Sequence, residues 1–202
     1  MKRALSLIAV LFMAVPALAG QQSTSTLATA VVNAGLSITV AVYENSVTGP
    51  TGPNLGSIPF GALAQYQSAP GVVPAWGPVL RSQKAYCAMV TANSSSVPYT
   101  IKQTAQSLTY LTNKIPDGAF VVVPVYSSVD NGGLTNTGTL GAKGTAVAVD
   151  KTIYTSGGSH GARTIQAIYA ITDDPNSGAT AAVPIDQPAG TYQGTVTFTV
   201  NT

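Results

Sequence analysis

From Ala28 to Val42 every even position is apolar: Ala28, Ala30, Val32, Ala34, Leu36, Ile38, Val40 and Val42. The odd positions are mixed, with Thr29, Asn33, Gly35, Ser37 and Thr39 among them. A period of two is that of a β-strand with one face against a core. An unbroken strand of that length would extend ~50 Å, against ~17–20 Å for an ordinary one. The run must therefore bend, change sheets or overhang the domain, and Asn33-Ala34-Gly35 is the natural break. Two successive strands kinked at Gly35 and an overhanging arm are both compatible with the pattern.

The chain closes on the same rhythm. From Thr195 to Val200, threonine alternates with Val196, Phe198 and Val200, after a Pro188-Ala189-Gly190 turn. A terminal strand is often an edge strand, whose unpaired N–H and C=O groups are open to a neighbour. Further strands are predicted over Ala85–Ala92, Tyr99–Leu108, Phe120–Tyr126, Thr145–Val149 and Thr164–Thr172. Between them lie Gly-, Pro- and Asn-rich connections such as Thr48–Ser57, Asp130–Gly144 and Thr155–Arg163. Beyond the first residues no segment carries a helical period. The expected class is all-β, a sandwich or barrel of about seven short strands.

The start of the chain has a different character. Lys2 and Arg3 precede a largely apolar run, Ala4 to Ala19, which ends in Ala17-Leu18-Ala19. A basic start, a short apolar core and an A-x-A site describe a secretory signal peptide, with the mature chain beginning at Gly20. The run is short of the ~20 apolar residues a membrane span needs, so the mature chain is expected to have none. The protein is accordingly expected to be secreted, with residues 1–19 as signal, 20–33 as an N-terminal extension and 34–202 as the sandwich domain.

Removal of the signal changes the charge balance. Nine Lys and Arg become seven, against seven Asp and Glu, so the mature chain is near neutral. The remaining cations are scattered rather than clustered, which excludes a nucleic-acid surface. Charged residues are only 8% of the chain and apolar ones 45%. That is low for a freely soluble monomer and suits a subunit whose faces are covered by neighbours. Cys87, the only cysteine, cannot form an intrachain disulfide, and in the apolar stretch Ala85–Ala92 it reads as a buried thiol.

Candidate chemistry is sparse. Gly157-Gly158-Ser159-His160-Gly161 fits G-x-S-x-G, but the only histidine is adjacent to the serine, and adjacent side chains in extended chain point apart. No catalytic residue is assigned. Asp173-Asp174-Pro175-Asn176-Ser177-Gly178 could offer carboxylates to calcium, yet it is ordinary turn composition. One His and one Cys cannot build a structural zinc site. Glu44, Asp117, Asp130, Asp150 and Asp186 stand isolated, without a glycosidase pairing. No metal or cofactor is expected. Asn93 opens an N-x-S sequon, a pattern common by chance.

Three landmarks carry a family likeness. The opening strand Ser25–Val40 is followed by Ser57–Tyr66, which contains Ile58-Pro59-Phe60-Gly61. A middle strand ends in Val97-Pro98-Tyr99-Thr100-Ile101-Lys102, and the chain closes on Pro188–Val200. Together these resemble the spore coat protein U type of secreted domain, a group related to pilins of the archaic chaperone–usher class. Members commonly carry a cysteine after the opening valines, where this chain has Gly35. The resemblance implies an incomplete immunoglobulin-like sandwich completed by a strand from a neighbouring subunit. It implies Ala28, Ala30 and Val32 as the donor strand, and Leu36, Ile38, Val40, Tyr192, Val196, Phe198 and Val200 as acceptor groove and core. The implied partners are further copies of the chain, a periplasmic chaperone and an outer-membrane usher. The function expected is a non-enzymatic structural subunit of a pilus, fimbria or extracellular fibre. The alternative is a monomeric secreted adhesin or carbohydrate-binding sandwich that uses loops such as Ser127–Lys143.

Overall fold

The computed structural model describes residues 23–31, 36–67, 77–94, 97–127, 138–157 and 162–202. The strands among them are β1 (Ser23–Val31), β2 (Leu36–Ser46), β3 (Gly49–Thr51), β4 (Ser57–Gly61), β5 (Leu63–Gln67), β6 (Pro78–Ser82), β7 (Ala85–Ser94) and β8 (Thr100–Ala105). There follow β9 (Thr109–Tyr110), β10 (Asn113–Lys114), β11 (Phe120–Tyr126), β12 (Thr139–Leu140), β13 (Gly144–Thr145), β14 (Ala148–Thr155), β15 (Arg163–Ile171), β16 (Val183–Pro184) and β17 (Thr191–Asn201). Only two single turns of 3₁₀ helix interrupt them among the described residues. The fold is an all-β sandwich with more strands than the seven or so expected; β9, β10, β12, β13 and β16 are two-residue ladders with no period to read.

One sheet runs β12-β14-β8-β17-β1-β4, with β9 extending the β8 side of β17 and β10 paired to β9. The facing sheet runs β13-β11-β15-β7-β2-β3. Val196, Phe198, Val200, Ile101, Ile153 and Tyr154 of the first pack against Ile38, Val42, Tyr86, Val90, Phe120, Ile165 and Tyr169 of the second. Alternation produces this core directly: on β8, Ile101, Gln103 and Ala105 are buried while Thr100, Lys102 and Thr104 are partly exposed. The overlong opening run is resolved by a change of sheet. β1 lies in one layer and β2 in the other, on either side of residues 32–35.

A small third sheet, β16-β6-β5, lies beside the sandwich. Gly61, at φ +68°, ends β4 and lets the chain turn out of the first sheet into β5. Arg81 on β6 ties this sheet to the body through an ion pair with Asp173. Ser82 adds a bridge to the end of β15, its hydroxyl donating to Ile171 O (3.3 Å) and accepting from Ile171 N (3.0 Å).

Two expectations are corrected. The strand predicted over Thr145–Val149 is two pieces, β13 and β14, and β14 continues to Thr155. Asp150, at φ +52°, sits in a register shift between Ala148 and Lys151, and consecutive Ile153 and Tyr154 are both buried. Neither feature leaves a period of two. The closing strand is not an edge: β8 flanks β17 on one side and β1 on the other.

Candidate functional site

The surroundings of β1 make it the candidate functional feature. β1 pairs with β17 in parallel over its whole length, from Ser23 opposite Thr191 to Val31 opposite Thr199. Its other side pairs antiparallel with β4, Thr24 opposite Gly61 and Leu27 opposite Ser57. This is the only ladder β4 makes in that sheet among the described residues. β4 and β17 therefore never pair with each other. They form the two walls of a slot one strand wide, and the strand that fills it comes from the N-terminal segment.

The slot is lined by core. Val196, Phe198, Val200 and Tyr192 on β17 are wholly buried, as is Ile58 on β4. The Phe60 ring meets Tyr86 and Phe120 edge-on, each with centroids 5.7 Å apart. Ala28 stands opposite Val196 and packs, partly buried, against this cluster. Ala30 holds the next position of the same parity, opposite Phe198. At the start of β17 the Tyr192 hydroxyl donates to Pro188 O (2.8 Å) and accepts from Gln187 Nε2 (2.6 Å). Gly190 is required in that turn because a Cβ there would collide with the Tyr110 ring. The Pro-Ala-Gly turn thus sets where β17 begins, and hence its register against β1.

Of the residues the sequence points to, Ala28 and Ala30 are on β1, and Val32 lies outside the described residues. Tyr192, Val196 and Phe198 stand opposite β1, Tyr192 within the stretch that β4 also flanks, while Val200 lies one residue beyond the ladder. Ile38 is buried and Val40 half-buried, but they and Leu36 belong to β2 in the facing sheet, beneath the slot rather than beside it. Ile58 and Phe60 form the second wall and are absent from the site residues expected from sequence. The alternation Ser57-Ile58-Pro59-Phe60 is the signal that could have found them. Pro59 has no N–H to offer, and it stands on the strand that forms the sheet's margin.

The remaining candidates resolve differently. Asp174 caps the 3₁₀ turn Pro175–Ser177, its carboxylate accepting from Asn176 N at 2.9 Å, and Gly178 closes the turn at φ +82°. Asp173, buried, faces Arg81. The stretch is a turn, as its composition implied. Cys87 is fully buried, and burial pushes its thiol up to about 12. Asn93 is exposed at the end of β7. Gly20, Ser159 and His160 lie outside the described residues. Among those described, no three His, Cys, Asp or Glu gather as a metal site, and no helix is long and apolar enough to cross a membrane.

No protein-family model matches the chain, and no curated protein matches it.

Proposed function

We propose that this protein is a secreted structural subunit of a pilus, fimbria or extracellular fibre that joins its neighbours by sharing β1. The observation that carries the reading is the slot itself. An N-terminal strand, bracketed on both sides by strands that do not otherwise meet, supplies both ladders. The same segment from a second subunit meets every requirement of the slot: main-chain hydrogen bonds give affinity and alternate side chains fill the pockets. A subunit that gives one strand and accepts one grows head-to-tail without closing. A periplasmic chaperone and an outer-membrane usher are the partners such assembly would use.

Other routes to strand addition are blunted. Among the described residues the sheet margins are short or interrupted: Pro59 on β4, Pro50 on β3, two-residue β12 and β13, and the bulge at Asp150 on β14. Short, proline-bearing and kinked margins are the usual protection against edge pairing. Sharing is therefore directed to the slot.

The test is deletion of Gly20 to Val32 from the mature chain. The truncated protein is expected to stay folded only when a peptide covering Gln21–Asn33 is supplied, and to bind that peptide. Negative-stain imaging of the intact mature protein, assembled at about 1 mM and then diluted onto the grid, should show filaments. A stable truncated monomer with no affinity for the peptide would overturn the reading.

The second reading, a carbohydrate-binding sandwich, draws on one observation. Strand ends at Ser94, Tyr126 and Arg163 lie at one end of the second sheet, by the pairings Leu36 with Ser94, Ala92 with Arg163 and Ile165 with Tyr126. Tyr126 is exposed there, with the Arg163 guanidinium 4.9 Å from its ring centre. Glycan-array binding by a filament-free preparation would favour it.

A further inference from the structure

We infer that the free subunit is self-complemented: β1 occupies its own slot, and assembly must wait until β1 leaves. This rests on the strand-sharing reading and adds to it a closed, assembly-inert monomer. Both sides of β1 are engaged within one chain, by β17 along its full length and by β4 from Thr24 to Leu27. While it is seated, β17 presents no free row of N–H and C=O groups to a neighbour. With β1 withdrawn, the backbone edge of β17 opens beside the buried Tyr192, Val196 and Phe198, and β4 loses its only ladder in that sheet among the described residues. An empty slot is thus a transient state that either the same strand or a neighbour's must fill.

The two ways of filling it are nearly equal in contacts. A neighbour's β1 has the same sequence and can remake the same pairs, so concentration decides between them. The tether from Val31 to Leu36 is residues 32–35. A strand on so short a tether has an effective concentration on the order of millimolar, and at about 10 µM subunit the closed form is favoured about a hundredfold. Among the described side chains of β1, Ala28 packs against the core and, being small, contributes little anchoring. Conditions that loosen β1 without unfolding the sandwich are therefore the trigger for assembly.

The experiment locks β1 in place. Leu27 and Ser57 are directly opposed in the antiparallel β1–β4 ladder, where cross-strand Cβ atoms approach to roughly 4.5–5.5 Å and small shifts permit a disulfide. In the Leu27→Cys/Ser57→Cys variant, oxidation of dilute monomer should give an intrachain disulfide. The oxidised protein should form no filaments where the reduced protein does, and reductant should restore growth. Filaments grown first and then oxidised should give a ladder of cross-linked subunits. Cys87 is fully buried and does not compete. Filaments growing from a monomer pool that forms no intrachain disulfide would overturn this inference and leave strand sharing intact. Filaments built from intrachain-locked subunits, or a reduced protein that never assembles, would overturn both. The wild-type chain gives a second measurement: refolding at about 1 µM should yield monomer and at about 1 mM polymer. An equal polymer fraction at both concentrations would count against self-complementation.

Discussion

The Tyr169 hydroxyl on β15 donates to Gln103 Oε1 on β8, joining the two facing sheets through the middle of the core. Both residues are wholly buried, and Gln103 Nε2 donates in turn to Ala146 O at 2.8 Å. Tyr169→Phe keeps the ring and strands the Gln103 oxygen. An unsatisfied buried acceptor costs about 1–3 kcal/mol. Urea unfolding should show that loss, and a change below about 0.5 kcal/mol would mean the bridge contributes little.

Burial of Cys87 and Tyr169 makes stability fall in alkali. Burial raises the Cys87 thiol from 9.0 to about 12 and raises the Tyr169 phenol well above its ordinary range. In both cases the unfolded chain gives up its proton first, so the stabilisation is complete below pH 9 and is lost as pH rises from there toward 12. Denaturant midpoints measured from about pH 8 to about pH 11 should decline, and Cys87→Ala should flatten the decline. Native Cys87 should also resist thiol reagents at about pH 8 and react once unfolded.

Arg81 and Asp173 pair at the junction of the third sheet with the sandwich, the carboxylate almost wholly buried. Arg81 also donates to Gln67 O at 3.1 Å and lies 5.5 Å from the Tyr66 ring centre. Arg81→Ala removes the charge partner of a buried carboxylate, which costs about 3–5 kcal/mol. Thermal unfolding should reveal it as a lowered midpoint. If Arg81→Ala and Arg81→Ala/Asp173→Asn are equally unstable, the buried Asp173 charge is not the cause.

The sequence makes some of this visible and hides the rest for physical reasons. β11 has the bounds its pattern predicts, since Phe120–Tyr126 is a near-continuous apolar run closed by a turn on its N-terminal side. The excess length of the opening run requires a change of direction, and the change of sheet between β1 and β2 meets that requirement. Local periodicity cannot say that β1 lies parallel to β17, because Ala28 opposite Val196 is a pairing between opposite ends of the chain. β4 is hidden because Pro59 breaks its strand composition, and β14 because a bulge cancels its alternation. The closing strand reads as an edge for the same non-local reason: its covering strand is the first in the chain.

Register parity gives the sharpest test of the slot. Ala28 packs against the core opposite Val196, whereas Thr29 stands opposite the partly exposed Thr197. Ala28→Asp places a carboxylate among Val196 and its apolar neighbours, at a cost above about 2 kcal/mol. Thr29→Asp carries the same charge one position along the strand, opposite Thr197 instead of Val196. Ala28→Asp and Ala30→Asp subunits should therefore fail to polymerise, while Thr29→Asp subunits form filaments of normal length. An Ala28→Asp subunit keeps an intact slot, so it can still accept a wild-type β1 but passes no usable strand onward. Added at about one part in ten to wild-type protein, it should shorten filaments severalfold in negative stain. If Ala28→Asp assembles normally, or if Thr29→Asp blocks growth equally, the strand is not read by the core and the shared-strand reading fails.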